Sequence, residues 1–142
     1  MSVKRVSLDT NILIYAIDKD ARIKQLLAIK LIEKCALNFD CVLTLQALSE
    51  FYAAATRKGK VTHKQAEAQI KDWQILFPTI LPSTRTVEYA LQAVDEHSLS
   101  FWDAMLWSVA NENGVTQIFS EDFQDGRKLK GVIFTNPYHR EK

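Results

Sequence analysis

Short apolar runs suited to strands alternate along this chain with longer stretches of helical spacing, and this alternation constrains the fold most. Lys4–Leu8 reads as a strand ending at Asp9, and Asn11–Ile17 as a helical turn or two. Ala21–Leu37 has the helical period, because Leu27, Ala28, Leu31, Ile32 and Cys35 recur on one face. Cys41–Thr44 suits a buried strand, and Leu45–Arg57 a helix stopped by Gly59. Thr62 looks like the cap of a further helix reaching Leu76. Pro78 and Pro82 bracket an extended segment around Thr79–Leu81. Thr84–His97 and Ser100–Asn113 are helical in pattern, with Gly114 just past the second. Gln117–Phe119 and Val132–Phe134 read as two last strands. Strands separated by helices imply a parallel sheet covered by helices. The expectation is one α/β domain over residues 1–142, three layers (α/β/α) around a central, mostly parallel sheet.

Composition narrows the chemistry. A chain 47% hydrophobic and 25% charged is that of a soluble globular domain. A formal net charge of +1 excludes a strongly basic surface, so affinity for a polyanion must rest on local clusters or bound cations. Arg57, Lys58 and Lys60 form one such cluster, and Arg127, Lys128 and Lys130 another; each reads as solvated surface or as a set of phosphate contacts. Lys30, Glu33 and Asp40 interrupt the longest apolar stretches, so no membrane span is expected. Asp9, Thr10 and Asn11 break up the apolar residues after Lys4 and Arg5, with no small-residue cleavage site beyond, so a cytoplasmic location is expected. Cys35 and Cys41 should be reduced and packed, and His63, His97 and His139 are too dispersed for a zinc cluster. Gly59, Gly114, Gly126 and Gly131 build neither a Walker loop nor a dinucleotide fingerprint.

The acids remain. In parallel α/β sheets function gathers at the carboxyl ends of the strands. Asp9 follows the first strand, Glu121–Asp122 follows Gln117–Phe119, Glu50 lies in the helix after the second strand, and Asp103 is in the first turn after Ser100. Two carboxylates about 4 Å apart repel by roughly 4 kcal/mol at an effective dielectric of 20. Hard divalent cations remove that repulsion, and all-oxygen sites suit Mg2+ or Mn2+, which can activate water for phosphodiester cleavage. Each acid also has a structural reading. Asp9 would cap a helix, Glu50 would be solvated, Ser100 and Asp103 would form a capping box, and Glu121–Asp122 would be turn residues.

The order of these acids carries a resemblance. Val6-Ser7-Leu8-Asp9-Thr10-Asn11-Ile12-Leu13 resembles the opening of PIN-domain nucleases. Leu45-Gln46-Ala47-Leu48-Ser49-Glu50-Phe51 is similar to that family's second motif and Ser100-Phe101-Trp102-Asp103-Ala104 to its third. Phe119-Ser120-Glu121-Asp122-Phe123, with Gly126 downstream, is similar to the fourth. The compact length most resembles VapC-like toxins of toxin–antitoxin pairs. The resemblance implies a ribonuclease that uses Mg2+ or Mn2+ to cut RNA, commonly a homodimer, silenced by a small antitoxin protein. It implies that Asp9, Glu50, Asp103 and Asp122 hold metal and polarise water, with Glu121 the alternative to Asp122. The family's fourth acid stands two positions after the hydroxyl residue, which selects Asp122 after Ser120. Thr10, Asn11 and Ser120 would steady the carboxylates through hydrogen bonds. An RNA-processing nuclease without antitoxin and a non-catalytic RNA-binding domain are the competing functions.

Aromatic residues add two expectations. Trp73, Trp102 and Trp107 read as core or interface, with Trp102, next to Asp103, the candidate for stacking on a base. Leu13, Tyr15, Phe51, Tyr52, Trp73 and Trp107 are too many for all to be interior, and are expected to offer a groove to a second copy or an antitoxin segment.

Overall fold

A computed structural model describes residues 3–138, so His139 lies outside the described residues. The elements run β1 (Arg5–Leu8), α1 (Thr10–Ile17), α2 (Arg22–Asn38), β2 (Asp40–Thr44), α3 (Leu45–Arg57), α4 (His63–Leu76) and β3 (Thr79–Ile80). They continue with α5 (Thr86–His97), α6 (Phe101–Glu112), β4 (Gln117–Phe119), β5 (Lys128–Leu129) and β6 (Val132–Thr135). Local chemistry explains the boundaries. Thr44 caps α3 through a bond from the Ala47 N–H, and Thr62 and Gln65 close a capping box at α4.

The sheet order is β3-β2-β1-β4-β6-β5. β1 pairs in parallel with β2 on one side and β4 on the other, so the chain winds outward to β3 and then returns past β1. Right-handed crossovers in opposite directions put their helices on opposite faces. One face carries the core of α1–α4 with Val6, Leu8, Cys41 and Leu43; the other carries α5 and α6 with Val42, Ile118, Val132 and Phe134. Val42 lies between Cys41 and Leu43 yet points to the opposite core, as strand periodicity requires. The winding reverses between β1 and β4, where open α/β sheets leave a crevice at the carboxyl ends.

The sequence reading anticipated the α/β/α layers and the mostly parallel sheet, but not β5. That strand pairs antiparallel with β6 through the two-residue turn Lys130–Gly131, both at positive φ (44° and 87°). Such a turn matches the twist of a hairpin, and Asn-Gly would have announced it where Lys-Gly does not. The six apolar helical residues expected not all to be interior divide. Leu13, Phe51, Trp73 and Trp107 are all buried, with only Tyr15 and Tyr52 partly exposed. Exposed apolar surface instead comes from residues such as Leu37, Ile75, Leu81 and Trp102. Cys35 and Cys41 are free and buried. Among the described residues no helix is long and apolar enough to cross a membrane.

Burial makes a paired forecast. Phe51, fully buried against Trp73 at a 4.8 Å ring separation, should cost about 3–5 kcal/mol on Phe51→Ala. Ile75→Ala, at a side chain 86% exposed, should stay within about 0.5 kcal/mol. Urea unfolding of the two variants checks both values.

Candidate active site

Asp9 leaves the sheet at the β1–β4 seam. Leu8 is in register with Phe119, and the Asp9 N–H donates to the Phe119 carbonyl at 2.9 Å, so the two strand ends are held side by side. The Asp9 side chain then caps α1, one oxygen accepting the Thr10 N–H at 2.7 Å. Its other oxygen accepts the Ser120 hydroxyl at 2.7 Å. Ser120, buried just past β4, itself accepts from Asn11 Nδ2 at 3.3 Å and from the Asp122 N–H at 3.1 Å. Asn11 Oδ1 accepts the Glu121 N–H at 3.2 Å. Asp9 is therefore both a helix cap and part of an acid cluster.

Glu50 arrives from α3. Its Oε1 accepts from Thr10 Oγ1 at 3.3 Å and from Gln46 Nε2 at 3.1 Å. Gln46 Nε2 also donates to the Trp102 carbonyl at 3.1 Å, tying α3 to the start of α6. The Ser100 hydroxyl caps α6 by accepting the Asp103 N–H at 3.2 Å, the first half of a capping box. The Asp103 carboxylate is half-buried, engaged by Ser100 and within reach of the Asp122 charge.

Burial pushes the Asp9 carboxyl up to about 6; the Ser120 and Thr10 bonds oppose this, and the charges of Asp122 and Asp103 add to it. Asp103 is also raised, chiefly by partial burial and further by Asp122, with Ser100 working the other way. Asp9, Asp103 and Asp122 thus feel one another's charge, and Glu50 joins them through Thr10.

Glu121 is placed differently. Its carboxylate accepts the Tyr15 hydroxyl at 2.8 Å and is ion-paired with Lys24, whose ammonium lies 4.8 Å from the Tyr15 ring centre. Nothing in the sequence announces that pairing, since a lysine on a helix such as α2 is ordinarily solvated. The basic clusters divide as well. Arg57 lines a cavity of about 400 Å3 with Thr10, Asn11, Glu50 and Asp122. Lys58, at the end of α3, does not line that cavity. Lys60 pairs with Asp18 and Asp20, Arg127 donates to the His97 carbonyl at 2.8 Å, Lys128 lies on β5, and Lys130 lies 3.8 Å from Glu96.

The PIN domain family model matches residues 6–126. The chain belongs to the PIN-domain family. Solved structures agree on the fold. VapBC2 from Rickettsia felis, bound to a promoter DNA fragment, is 16% identical with a TM-score of 0.68, covering 93% of this chain and 98% of that one. A toxin–antitoxin complex from Klebsiella pneumoniae is 19% identical with a TM-score of 0.69, over 95% and 99% of the two chains. VapC20 from Mycobacterium tuberculosis, a sarcin–ricin loop cleaving toxin, is 18% identical with a TM-score of 0.65, over 82% and 91%. No curated protein sequence matches the chain.

Among the described residues of this PIN domain, no three carboxylate, imidazole or thiolate groups lie close enough to grip one ion jointly. The donor chemistry nevertheless fits a hard divalent cation. The cluster is all-carboxylate, Asp9 and Asp103 hold their protons more tightly than ordinary carboxyls, and no lysine or arginine is paired with Asp9, Asp103 or Asp122 among the described residues. Asp9 is fixed by two bonds and Glu50 is held by Thr10 and Gln46, whereas the exposed Asp122 carboxylate has no hydrogen-bond partner among the described residues.

The Asp9 shift sets a pH dependence. The folded carboxyl holds its proton more tightly than the unfolded chain does, so its contribution is fully present below about pH 4 and is lost as pH rises through about 6. Relative to Asp9→Asn, the metal-free wild type should therefore lose up to about 3 kcal/mol between roughly pH 4 and 7. Chemical denaturation across that range measures it, and a constant difference between the two proteins would contradict the burial argument.

Proposed function

We propose that this PIN domain is a metal-dependent endoribonuclease, the toxin of a toxin–antitoxin pair, with Asp9, Glu50, Asp103 and Asp122 as its working acids. The observation that carries the reading is the buried Asp9 carboxylate, held by Thr10 and by Ser120, which Asn11 and Asp122 also engage, with the charges of Asp122 and Asp103 nearby and no lysine or arginine paired to it among the described residues. Asp122 is preferred to Glu121 because Ser120 holds its backbone toward the cluster, whereas Lys24 and Tyr15 engage Glu121. A bound Mg2+ or Mn2+ would neutralise the cluster and supply Lewis acidity toward a phosphodiester.

The chain's own residues would do the rest. Asp9, with both oxygens already accepting bonds, is the fixed reference around which the exposed acids arrange. Ser120 and Asn11 hold the loop carrying Asp122 against α1. Ser120 is buried and engaged on three sides, so it is no nucleophile; water attacks the phosphorus, giving one proton to the Glu50 or Asp122 carboxylate, while the phosphorus–oxygen bond to the departing ribose oxygen breaks and that oxygen takes a proton from solvent. Arg57, beside Glu50 and Asp122, is placed to meet a neighbouring phosphate of single-stranded or looped RNA. The toxin assignment draws on the Rickettsia felis and Klebsiella pneumoniae likenesses, which involve toxin–antitoxin proteins, and on VapC20, a toxin that cleaves an RNA loop. A small antitoxin partner, a homodimer and a cytoplasmic site of action belong to the same proposal.

Asp103→Asn should lower cleavage at least about 100-fold while leaving the metal-free protein as stable as wild type or more so, because a like charge is removed. Manganese at a hundredfold excess over its dissociation constant should stabilise wild type by about 2.7 kcal/mol and the variant far less. Melts of both proteins in EDTA and in manganese, with RNA cleavage assays alongside, test this. Equal manganese shifts would remove Asp103 from the site. In the same assays Asp122→Ala should lose more cleavage than Glu121→Ala, and the reverse order would reassign the fourth acid.

A further inference from the structure

Glu50 is shared by two cavities. One is the polar cavity with Arg57 and Asp122; the other, about 380 Å3, lies between the start of α3 and the first turns of α6. Its apolar lining includes Leu45, Pro82, Trp102 and Met105, with Thr44, Gln46, Ser49 and Glu50 as polar members. Trp102 is 60% exposed, whereas Trp73 and Trp107 are buried. The fold does not need this indole, because α6 buries Ala104, Leu106, Trp107 and Ala110 instead. Its ring meets Phe101 edge-on at 5.0 Å and otherwise offers a face to solvent, in the residue before Asp103.

We propose that this cavity receives a nucleobase adjoining the phosphodiester held at the acids, stacked on Trp102 and bonded along its edge by Gln46. The proposal rests on the ribonuclease reading and deepens it. Phosphate and base of one nucleotide are close neighbours, as are the two cavities that share Glu50. Gln46 Nε2 is committed to Glu50 and the Trp102 carbonyl, which leaves its Oε1 as an acceptor for a base N–H. The volume lies near the lower end of the roughly 300–1,000 Å3 of small-ligand pockets and suits one flat ring system. A docking helix, about 10–12 Å across, requires a strip of anchors rather than one spot bounded by a carboxylate. Stacking also tolerates any base and needs no positive surface, which a net charge of +1 does not provide.

The test uses a nuclease-resistant 2′-O-methyl hexanucleotide and the same backbone with abasic residues, both in manganese. Binding is followed by anisotropy of a labelled end, and contact by quenching of tryptophan emission. The base-bearing oligomer should quench emission and bind roughly 5- to 100-fold tighter than its abasic counterpart. Trp102→Ala should erase that difference, Trp102→Phe should keep part of it, and Asp103→Asn should keep it while losing cleavage of unmodified RNA. Equal binding of the two oligomers by wild type would overturn the base site, even with cleavage intact. Base-dependent binding without cleavage of any RNA would instead sink the ribonuclease reading and leave the base site standing. A lower mass for Trp102→Ala by light scattering would show that a second copy covers the cavity, and would overturn the proposal. Protection of Trp102 from quenching only by a protein partner would do the same.

Discussion

The site depends on one carboxylate kept out of water at the seam of the sheet. Asp9 is only 8% exposed, and the two hydrogen bonds to its oxygens are of the charge-assisted kind, worth about 1.5–3 kcal/mol each. They do not outweigh desolvation, because the carboxyl is still pushed up to about 6. The sheet makes the position unavoidable. Leu8 and Phe119 end their strands in register, Ser7 locks β1 to β2 through the Val42 carbonyl at 2.6 Å, and the next residue emerges between diverging crossovers. Ser120 makes this tolerable by donating to Asp9 while accepting from both Asn11 and Asp122. One hydroxyl thus fixes a strand end, a helix start and the loop that bears another acid.

The remaining acids follow a different rule. Glu50, Asp103 and Asp122 are half-buried or exposed, each anchored through its own backbone or a neighbour. Asp9 sets the position and the others keep the freedom to adjust. Glu121 shows the contrast within one turn of chain, where a lysine and a tyrosine neutralise the carboxylate next to Asp122. Adjacent residues of the same chemical type therefore have opposite environments, decided by which helix each faces.

Much of this was legible in the sequence, for identifiable reasons. Asp9-Thr10-Asn11 directly after an apolar run states a strand end and a helix cap; the Thr10 N–H bonds the Asp9 carboxylate and its hydroxyl the Glu50 carboxylate, whereas Asn11 bonds Ser120 and the Glu121 N–H rather than a carboxylate. The α3 boundaries, Leu45–Arg57, coincide with the expectation because Thr44 caps one end and Gly59 follows the other. Features built from distant residues were not legible. Lys24 and Glu121 lie 97 positions apart, and no local pattern links them. The β5–β6 hairpin has strands too short for periodicity and an unusual turn pair. Which of the apolar helical residues stay partly exposed, Tyr15 and Tyr52, was not legible either, because helical spacing alone does not say how much of a helix the sheet will cover. Packing buries Ala47, Leu48, Phe51 and Ala55 of α3 and Ala104, Leu106, Trp107, Val109 and Ala110 of α6, and leaves Leu45 and Trp102 exposed at the starts of the two helices.

Charge distribution then determines how such a site can hold a polyanion. A +1 chain can attract phosphates only where cations are left without carboxylate partners, and the fold pairs Lys24 and Lys60 with acids. Arg57 remains beside the acids, so direct phosphate neutralisation at the site is slight, and the salt dependence of single-strand binding, about 0.7 per contacted phosphate on a log–log scale, should be correspondingly shallow. Affinity must then come from terms that salt does not screen. The apolar cavity on the other side of Glu50 is one such term, since stacking removes indole and base from water whatever the ionic strength. In the proposed reading a cation held at the acids would add a short-range attraction, because it would convert the repulsive part of the surface into the attractive one. In this fold the acids and the aromatic face are complementary halves of one binding problem, and Glu50, which lines both cavities, is the residue through which each half is fixed relative to the other.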